Sequence, residues 1–193
     1  MHIKKLIIIP AITLSLIGCS TYVNPTTQNS NVGGTDLEWA FTKSDQHPEK
    51  LLISVIDSAK STLDVAIYSL TYPDIVDAIK NAKKRGVKIR LITDKQQSGG
   101  KTQTEALKLL GSAGVPMKIN KHSGLMHLKM VVADNKIATT GSFNYSKAAS
   151  TTNDEVLMVI RKEEVAKSFA AEFEAMWNDD KGFKTIEPKI AQP

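Results

Sequence analysis

The sequence predicts an α/β fold: one domain in which a mixed β-sheet is sandwiched by helices. Three observations carry that reading. From about residue 36 onward, short β-branched and apolar runs alternate with stretches whose apolar residues recur at helical spacing, as in successive β–α units. The connections between them are short and carry Gly, Pro, Asn or Asp. One pair of strand-like runs, 127–132 and 136–142, is separated by a turn so tight that the two must be antiparallel, so the sheet cannot be wholly parallel.

The first eighteen residues read as a targeting segment rather than as structure. Lys4 and Lys5 form a basic start, and 6–17 an apolar stretch too short to span a bilayer comfortably. Residues 20–34 are rich in Thr, Asn, Gly and Ser, have little to bury, and read as part of a flexible tether over 19–35. The folded domain is expected over 36–182, with 183–193 a frayed tail.

Within that domain, 37–41 alternates as a short strand. Pro48 sits near the start of a helix whose Leu51, Leu52, Val55, Ile56 and Ala59 share a face. A buried strand follows over 62–69. Pro73 opens a second helix striped with Ile75, Val76, Ile79 and Ala82, and Lys83, Lys84, Arg85 and Gly86 close it, as cations and a glycine do at a C-terminus. A strand over 87–93, a loop over 94–101, a helix using Ala106, Leu109, Leu110 and Ala113, and a strand over 116–120 come next. After the hairpin, 145–151 reads as a short helix starting near Asn144, whose free N–H groups suit a phosphate. A strand over 155–160 and a helix burying Val165, Ala166, Phe169, Phe173, Met176 and Trp177 complete the domain.

The hairpin carries the chemistry. Side chains alternate along a strand, so His127, Lys129 and Val131 share one face. An imidazole and an ammonium then project together toward one anionic group. Asp134-Asn135 reads as a two-residue turn, which pairs Ala133 with Lys136, Lys129 with Thr140 and His127 with Ser142, with Asn144 just beyond. A neutral imidazole can attack phosphorus and form a covalent phosphohistidine. Lys129, Ser142 and Asn144 can donate to the non-bridging oxygens that hold charge in the transition state. The competing reading is a core hairpin with one stray histidine.

The run His127-x-Lys129-x4-Asp134-x6-Gly141-Ser142-x-Asn144 resembles the HKD motif of the phospholipase D superfamily, with every motif position filled. The resemblance covers about 36–182 and is closest to small bacterial single-motif members, the Nuc-like endonucleases. It implies an α/β sandwich in which two motifs build one active site, so that a single-motif chain forms a homodimer. It also implies that Glu155, at the start of the next strand, orients the catalytic histidine, where a carboxylate on one ring nitrogen fixes the tautomer. Fold analogy places Tyr68 and Ser69 along the cleft. Asp134 sits at the turn and reads as a structural support for Lys129 rather than as a chemical group. His122 lies in a loop, either touching substrate or simply solvated.

Leu16-Ile17-Gly18-Cys19 resembles the lipobox of bacterial lipoproteins. That implies cleavage before Cys19, lipidation of its side chain, and an extracytoplasmic, membrane-anchored product facing the periplasm or the cell surface. An ordinary signal peptide or an uncleaved anchor helix are the alternatives. Cys19 is the only cysteine, so the chain forms no internal disulfide. One cysteine and four scattered histidines give no metal-ligand spacing, and no glycine-rich nucleotide loop is present, so neither metal nor cofactor is expected.

The chain has 25 Lys and Arg against 20 Asp and Glu; without Lys4 and Lys5 the excess is +3. That mild basicity permits nucleic-acid binding without requiring it. Lys83, Lys84, Arg85, Lys101, Lys108, Lys118 and Lys121 are candidates for a phosphate-contacting rim. The sequence thus points to a metal-independent phosphodiesterase, a nonspecific endonuclease acting on DNA or RNA. A phospholipase acting on membrane phospholipids is the first alternative, and a non-catalytic nucleic-acid-binding surface lipoprotein the second.

Overall fold

Two prolines set the helical frame. Pro48 and Pro73 each occupy the first turn of a helix, where the missing N–H costs nothing. The computed structural model describes residues 36–189; the leader, Cys19, the tether over 19–35 and residues 190–193 lie outside the described residues. The elements are β1 (Leu37–Phe41), α1 (Pro48–Ser58), β2 (Thr62–Ile67), α2 (Pro73–Lys84), β3 (Lys88–Thr93), α3 (Lys101–Ser112) and β4 (Met117–Asn120). They continue with β5 (Lys129–Ala133), β6 (Ile137–Gly141), α4 (Lys147–Thr151), β7 (Val156–Ile160), α5 (Glu163–Asn178) and β8 (Phe183–Ile186).

The strands form one sheet in the order β1-β7-β6-β5-β2-β3-β4-β8. β2, β3 and β4 are parallel, and every other pairing is antiparallel, so the sheet is mixed as expected. Alternation along β2 divides the core. Leu63, Val65 and Ile67 face a layer with Leu52, Val55 and Ile56 of α1, Ile75 and Ile79 of α2 and Leu107 and Leu110 of α3. Ala66 faces the opposite layer with Ile92, Met130, Val132 and Phe173, against which Phe169, Met176 and Trp177 of α5 pack. Burying each such large apolar side chain stabilises the fold by roughly 1.5–3 kcal/mol. Among the described residues no helix is long and apolar enough to cross a membrane.

Asp64 is the polar exception on the α5 face. It is 5% exposed and takes Arg90 Nε and Nη2 at 2.8 and 2.9 Å. Arg90 also reaches Glu174 at 2.7 Å and lies 5.0 Å from the Phe173 ring centroid, so a bidentate ion pair ties β2 and β3 to α5.

Four expectations need correction. The supposed tail contains β8, which pairs antiparallel with β4 from Met117↔Ile186 to Asn120↔Phe183. The Asp134-Asn135 turn does form, with both residues at positive φ and Lys136 N donating to Ala133 O at 2.9 Å. The ladder, however, resumes at Ala133↔Ile137, so Lys136 is an extra residue and Val131 faces Thr139 rather than Ala138. β5 itself begins at Lys129, leaving His127 in the approach to the strand. In α3, Leu109 is 39% exposed, and Leu107 supplies the buried contact instead.

Candidate active site

The site lies where β2 ends and β5 begins, at the C-terminal ends of the parallel strands, the usual crevice of open α/β sheets. Ile67 pairs with Lys129, and Tyr68 N donates to Leu128 O at 2.9 Å, which brings residues 127–129 alongside the end of β2. Just past it, Tyr145 N donates to Ser69 O at 2.9 Å, and Thr71 and Tyr72 N–H groups donate to Tyr145 O at 2.8 and 2.9 Å. The end of β2 thus holds both halves of the motif: His127 with Lys129 on one side, and the Asn144 segment on the other.

Lys129 and His127 meet as the alternation predicts. Lys129 Nζ lies 3.1 Å from His127 Nδ1 and 3.2 Å from Nε2, and donates to the His127 carbonyl at 2.9 Å. The lysine is only 6% exposed, whereas His127 is open to solvent. Burial lowers the Lys129 pKa from its ordinary value, and the nearby Glu155 carboxylate partly opposes that. No carboxylate forms a salt bridge with Lys129 among the described residues.

The remaining motif residues are placed differently. Gly141 has φ +137°, and a Cβ there would stand 2.1 Å from Val156 O, so only glycine lets β6 approach β7 this closely. Ser142 follows, and its N–H donates to Val156 O at 3.0 Å while its Oγ accepts from Val156 N at 3.2 Å. Its contacts come from β7, not from His127 as the expected register required; the extra residue at Lys136 shifts the strand. The Oγ proton remains available to a ligand. Asn144 Oδ1 is buried without a partner, and its side chain makes no hydrogen bond within the described structure. The short helix after it starts at Lys147, capped by Ser146 Oγ, which accepts from Ala149 N at 3.3 Å; the helix therefore does not begin at Asn144.

Glu155 accepts from Asn153 Nδ2 at 3.1 Å and makes no hydrogen bond to His127; it acts on Lys129 through space. With Ser142 it lines a pocket of about 330 Å³ together with Phe41, Lys43, Ser44 and Asp154. Asp134 is at the far end of β5 and does not support Lys129. Its carboxylate accepts from the N–H groups of Lys60, Ser61 and Thr62 at 2.8, 2.7 and 2.8 Å. Burial pushes its pKa up, but these backbone donors outweigh that and hold it below the usual carboxylate value.

The proposed basic rim does not hold together. Lys83, Lys84 and Arg85 end α2 just before β3 begins, at the opposite end of the parallel strands from the site, where Arg85 bonds Asp57 and Ile56 O. Lys118 is 8% exposed and is used by Trp177 O and Asp180. Lys121 donates to Asp180 O. Lys101 and Lys108, on α3, are exposed. The His122 ring packs edge-on against Phe183, ring centroids 5.5 Å apart.

Sequence reasoning passed over three buried polar residues that shape the approach to His127. Asp94 Oδ2 accepts from Met126 N at 3.0 Å, one residue before His127, and its Oδ1 accepts from Gln96 and Gln97 N–H groups. Asn120 bridges Lys95 N and Gly124 O. Gln103 accepts from Leu70 N and donates to Thr93 Oγ1. The signal was polar residues following or facing apolar strands, where burial without partners is costly. Among the described residues no group of three or more His, Cys, Asp or Glu side chains is placed to hold a metal ion.

A mixed-sheet α/β sandwich with a histidine–lysine pair at the sheet's end and a following Gly-Ser-x-Asn defines the phospholipase D class of proteins. Comparison with known sequences agrees. Residues 52–177 match the family model described as "Cardiolipin synthase, PLD-like domain", and the chain belongs to the phospholipase D superfamily, whose members are phosphodiesterases. It is 29% identical over 126 residues to a mitochondrial cardiolipin hydrolase of Chlamydomonas reinhardtii, covering 65% of this chain and 56% of the relative. It is 33% identical over 120 residues to a phospholipase D of Rickettsia conorii, covering 62% and 59%. The chain therefore spans somewhat over half the length of these curated relatives. The crystal structure of Nuc from Salmonella typhimurium, a phospholipase D family member, superposes with a TM-score of 0.73 at 32% identity, covering 78% of this chain and 97% of that one.

Proposed function

We propose that this chain is a phosphodiesterase that hydrolyses nucleic acid without base specificity, through a covalent phosphohistidine, at a site shared by two copies. The observation that supports it is Lys129: a buried ammonium with no paired carboxylate, touching an exposed imidazole. Burying an unpaired cation is costly unless the site awaits an anion. A phosphodiester supplies that anion, and it puts phosphorus within reach of His127. The unbonded Asn144 amide and the free Ser142 proton complete the donors to its oxygens.

In this reading a neutral His127 nitrogen attacks phosphorus, the bond to the leaving oxygen breaks, and that alkoxide takes a proton from an acid. One imidazole bonded to phosphorus cannot also deliver the proton. His127 of a second copy, across a two-fold axis, supplies it. It then acts as base for the water that cleaves the phosphorus–nitrogen bond and restores the neutral imidazole. Lipidation at Cys19 would hold this site outside the cytoplasm at a membrane surface.

A second reading, hydrolysis of phospholipid, is favoured by Leu125 and Leu128, which flank His127 in sequence and are 43% and 40% exposed. One experiment separates the two: plasmid DNA and phosphatidylcholine vesicles are each incubated with the protein in excess EDTA, beside His127→Ala. The expected result is DNA cleavage that survives the chelator and vanishes in the variant, with the vesicles intact. Cleavage of lipid alone selects the second reading, and full dependence on added divalent metal rejects the mechanism.

A further inference from the structure

Tyr68 stands apart from the motif yet touches both of its reactive side chains. Its ring centroid lies 4.5 Å from that of His127, at an interplanar angle of 56°. Lys129 Nζ lies 5.2 Å from the same ring, within cation–π range. The imidazole, open to solvent on its other side, therefore has two neighbours that restrict its rotamer: the lysine and the tyrosine ring.

The ring is itself held. Its hydroxyl accepts from Gln97 Nε2 at 3.0 Å. Gln97 begins a 3₁₀ turn whose backbone is fixed by Asp94 Oδ1, at 3.1 Å from Gln97 N. The other oxygen of the same fully buried carboxylate holds Met126 N, immediately before His127. One buried side chain at the end of β3 thus fixes both the segment that delivers the nucleophile and the turn that fixes the ring beside it. A cleft-lining tyrosine needs neither link.

We propose that Tyr68, braced by Gln97 through the Asp94-capped turn, is a positioning residue that sets the rotamer of the His127 imidazole for in-line attack on phosphorus. The proposal rests on the phosphodiesterase reading and assigns a function to a residue outside the motif. An exposed imidazole samples several rotamers, and only one presents a nitrogen lone pair to the phosphorus at a near-attack distance. Restricting it beforehand contributes to turnover rather than to substrate affinity. The ring, rather than the hydroxyl, is what touches the imidazole, so the conservative variant retains the effect.

The test compares Tyr68→Phe and Tyr68→Leu with the full-length wild type and His127→Ala, using bis(p-nitrophenyl) phosphate as a substrate that needs no extended binding surface. Tyr68→Leu is expected to lower kcat roughly 10- to 100-fold with KM little changed, and Tyr68→Phe to recover most of it. In parallel, the three-bond NMR couplings that report the His127 χ1 rotamer, assigned by their loss in His127→Ala, should average in Tyr68→Leu and stay near their wild-type values in Tyr68→Phe. Wild-type kcat in Tyr68→Leu, unchanged His127 couplings, or a fall confined to KM each overturn the proposal. If no variant or wild type cleaves the diester, the phosphodiesterase reading fails, and the NMR comparison still decides whether Tyr68 orients His127.

Discussion

Replacing Asp134 should damage stability and spare chemistry, against the expectation that it supports Lys129. Its carboxylate accepts three backbone N–H groups at 2.7–2.8 Å from the entry into β2, and Asp134 N donates back to Thr62 O at 3.0 Å. Charge-assisted hydrogen bonds contribute about 1.5–3 kcal/mol each, and three on one carboxylate are not additive, so Asp134→Ala should cost roughly 3–5 kcal/mol. For a domain of this size that is a fall in melting temperature of about 10 °C. The residue is five positions along β5 from Lys129, about 16 Å away at the usual strand rise. Asp134→Asn, measured where the variant is still folded, should therefore keep its kcat. The pH dependence follows from the lowered pKa. Its contribution is fully present above the ordinary value of 3.8 and is lost as pH falls through the lower folded value, so wild type and Asp134→Asn should converge in stability only in that acid range. Calorimetry from pH 2 to 7 beside steady-state kinetics measures both. A folded Asp134→Asn with a hundredfold lower kcat and an unchanged melting temperature would refute the reasoning.

Three further outcomes are expected. Gly141→Ala would put a methyl group against Val156 O and hold a residue with a side chain at φ +137°, so thermal melting should show a loss of about 2 kcal/mol or more. Lys129→Met should abolish diester cleavage yet raise the melting temperature at neutral pH by the equivalent of about 1 kcal/mol, since an unpaired buried ammonium is removed. The lysine's folded pKa is lowered, so that gain should narrow as pH rises toward 10.5 and wild-type Lys129 becomes neutral; an equal gain at all pH values would contradict the burial argument. If two copies share a site, mixing wild type with His127→Ala under subunit exchange should make activity fall with the square of the wild-type fraction, and a linear fall would show that each chain works alone.

Much of the fold was legible in the sequence because its elements are locally specified. Pro48 and Pro73 mark helix starts, the stripes of α1 and α2 are unbroken, and β1 appears with the boundaries its alternation implies. What was missed depends on distant partners. The four residues of β8 carry exposed Lys184 and Thr185, and only the edge of β4, far back in the chain, makes them a strand. The extra residue at Lys136 was hidden for the same reason, since Asp134 is captured by amides more than seventy positions earlier, and the turn forms around that capture. The His127–Lys129 contact was readable because a two-residue spacing is a local property of extended chain. Fold analogy placed Tyr68 along the cleft, but its contacts with His127 and Gln97, and the roles of Asp94 and Asn120, were not readable, because these residues converge only once the parallel strands are aligned.

That convergence explains why the site sits where it does. β2 pairs in parallel with β3 on one side and antiparallel with β5 on the other, so its C-terminal end is where chain direction reverses across the sheet. Loops after β2 and β3 and the approach to β5 meet there, and several of their backbone groups bond to side chains rather than to the sheet. Asp94, Asn120 and Gln103 satisfy them, each nearly or wholly buried. Such residues contribute less to stability than apolar ones would, since each must be desolvated before it bonds. Their geometry, however, is directional where apolar packing is not, and a nucleophile held at a strand entrance needs a fixed direction. Polar residues buried at one end of the sheet, and apolar ones through its middle, therefore divide the work between orienting His127 and holding the fold together.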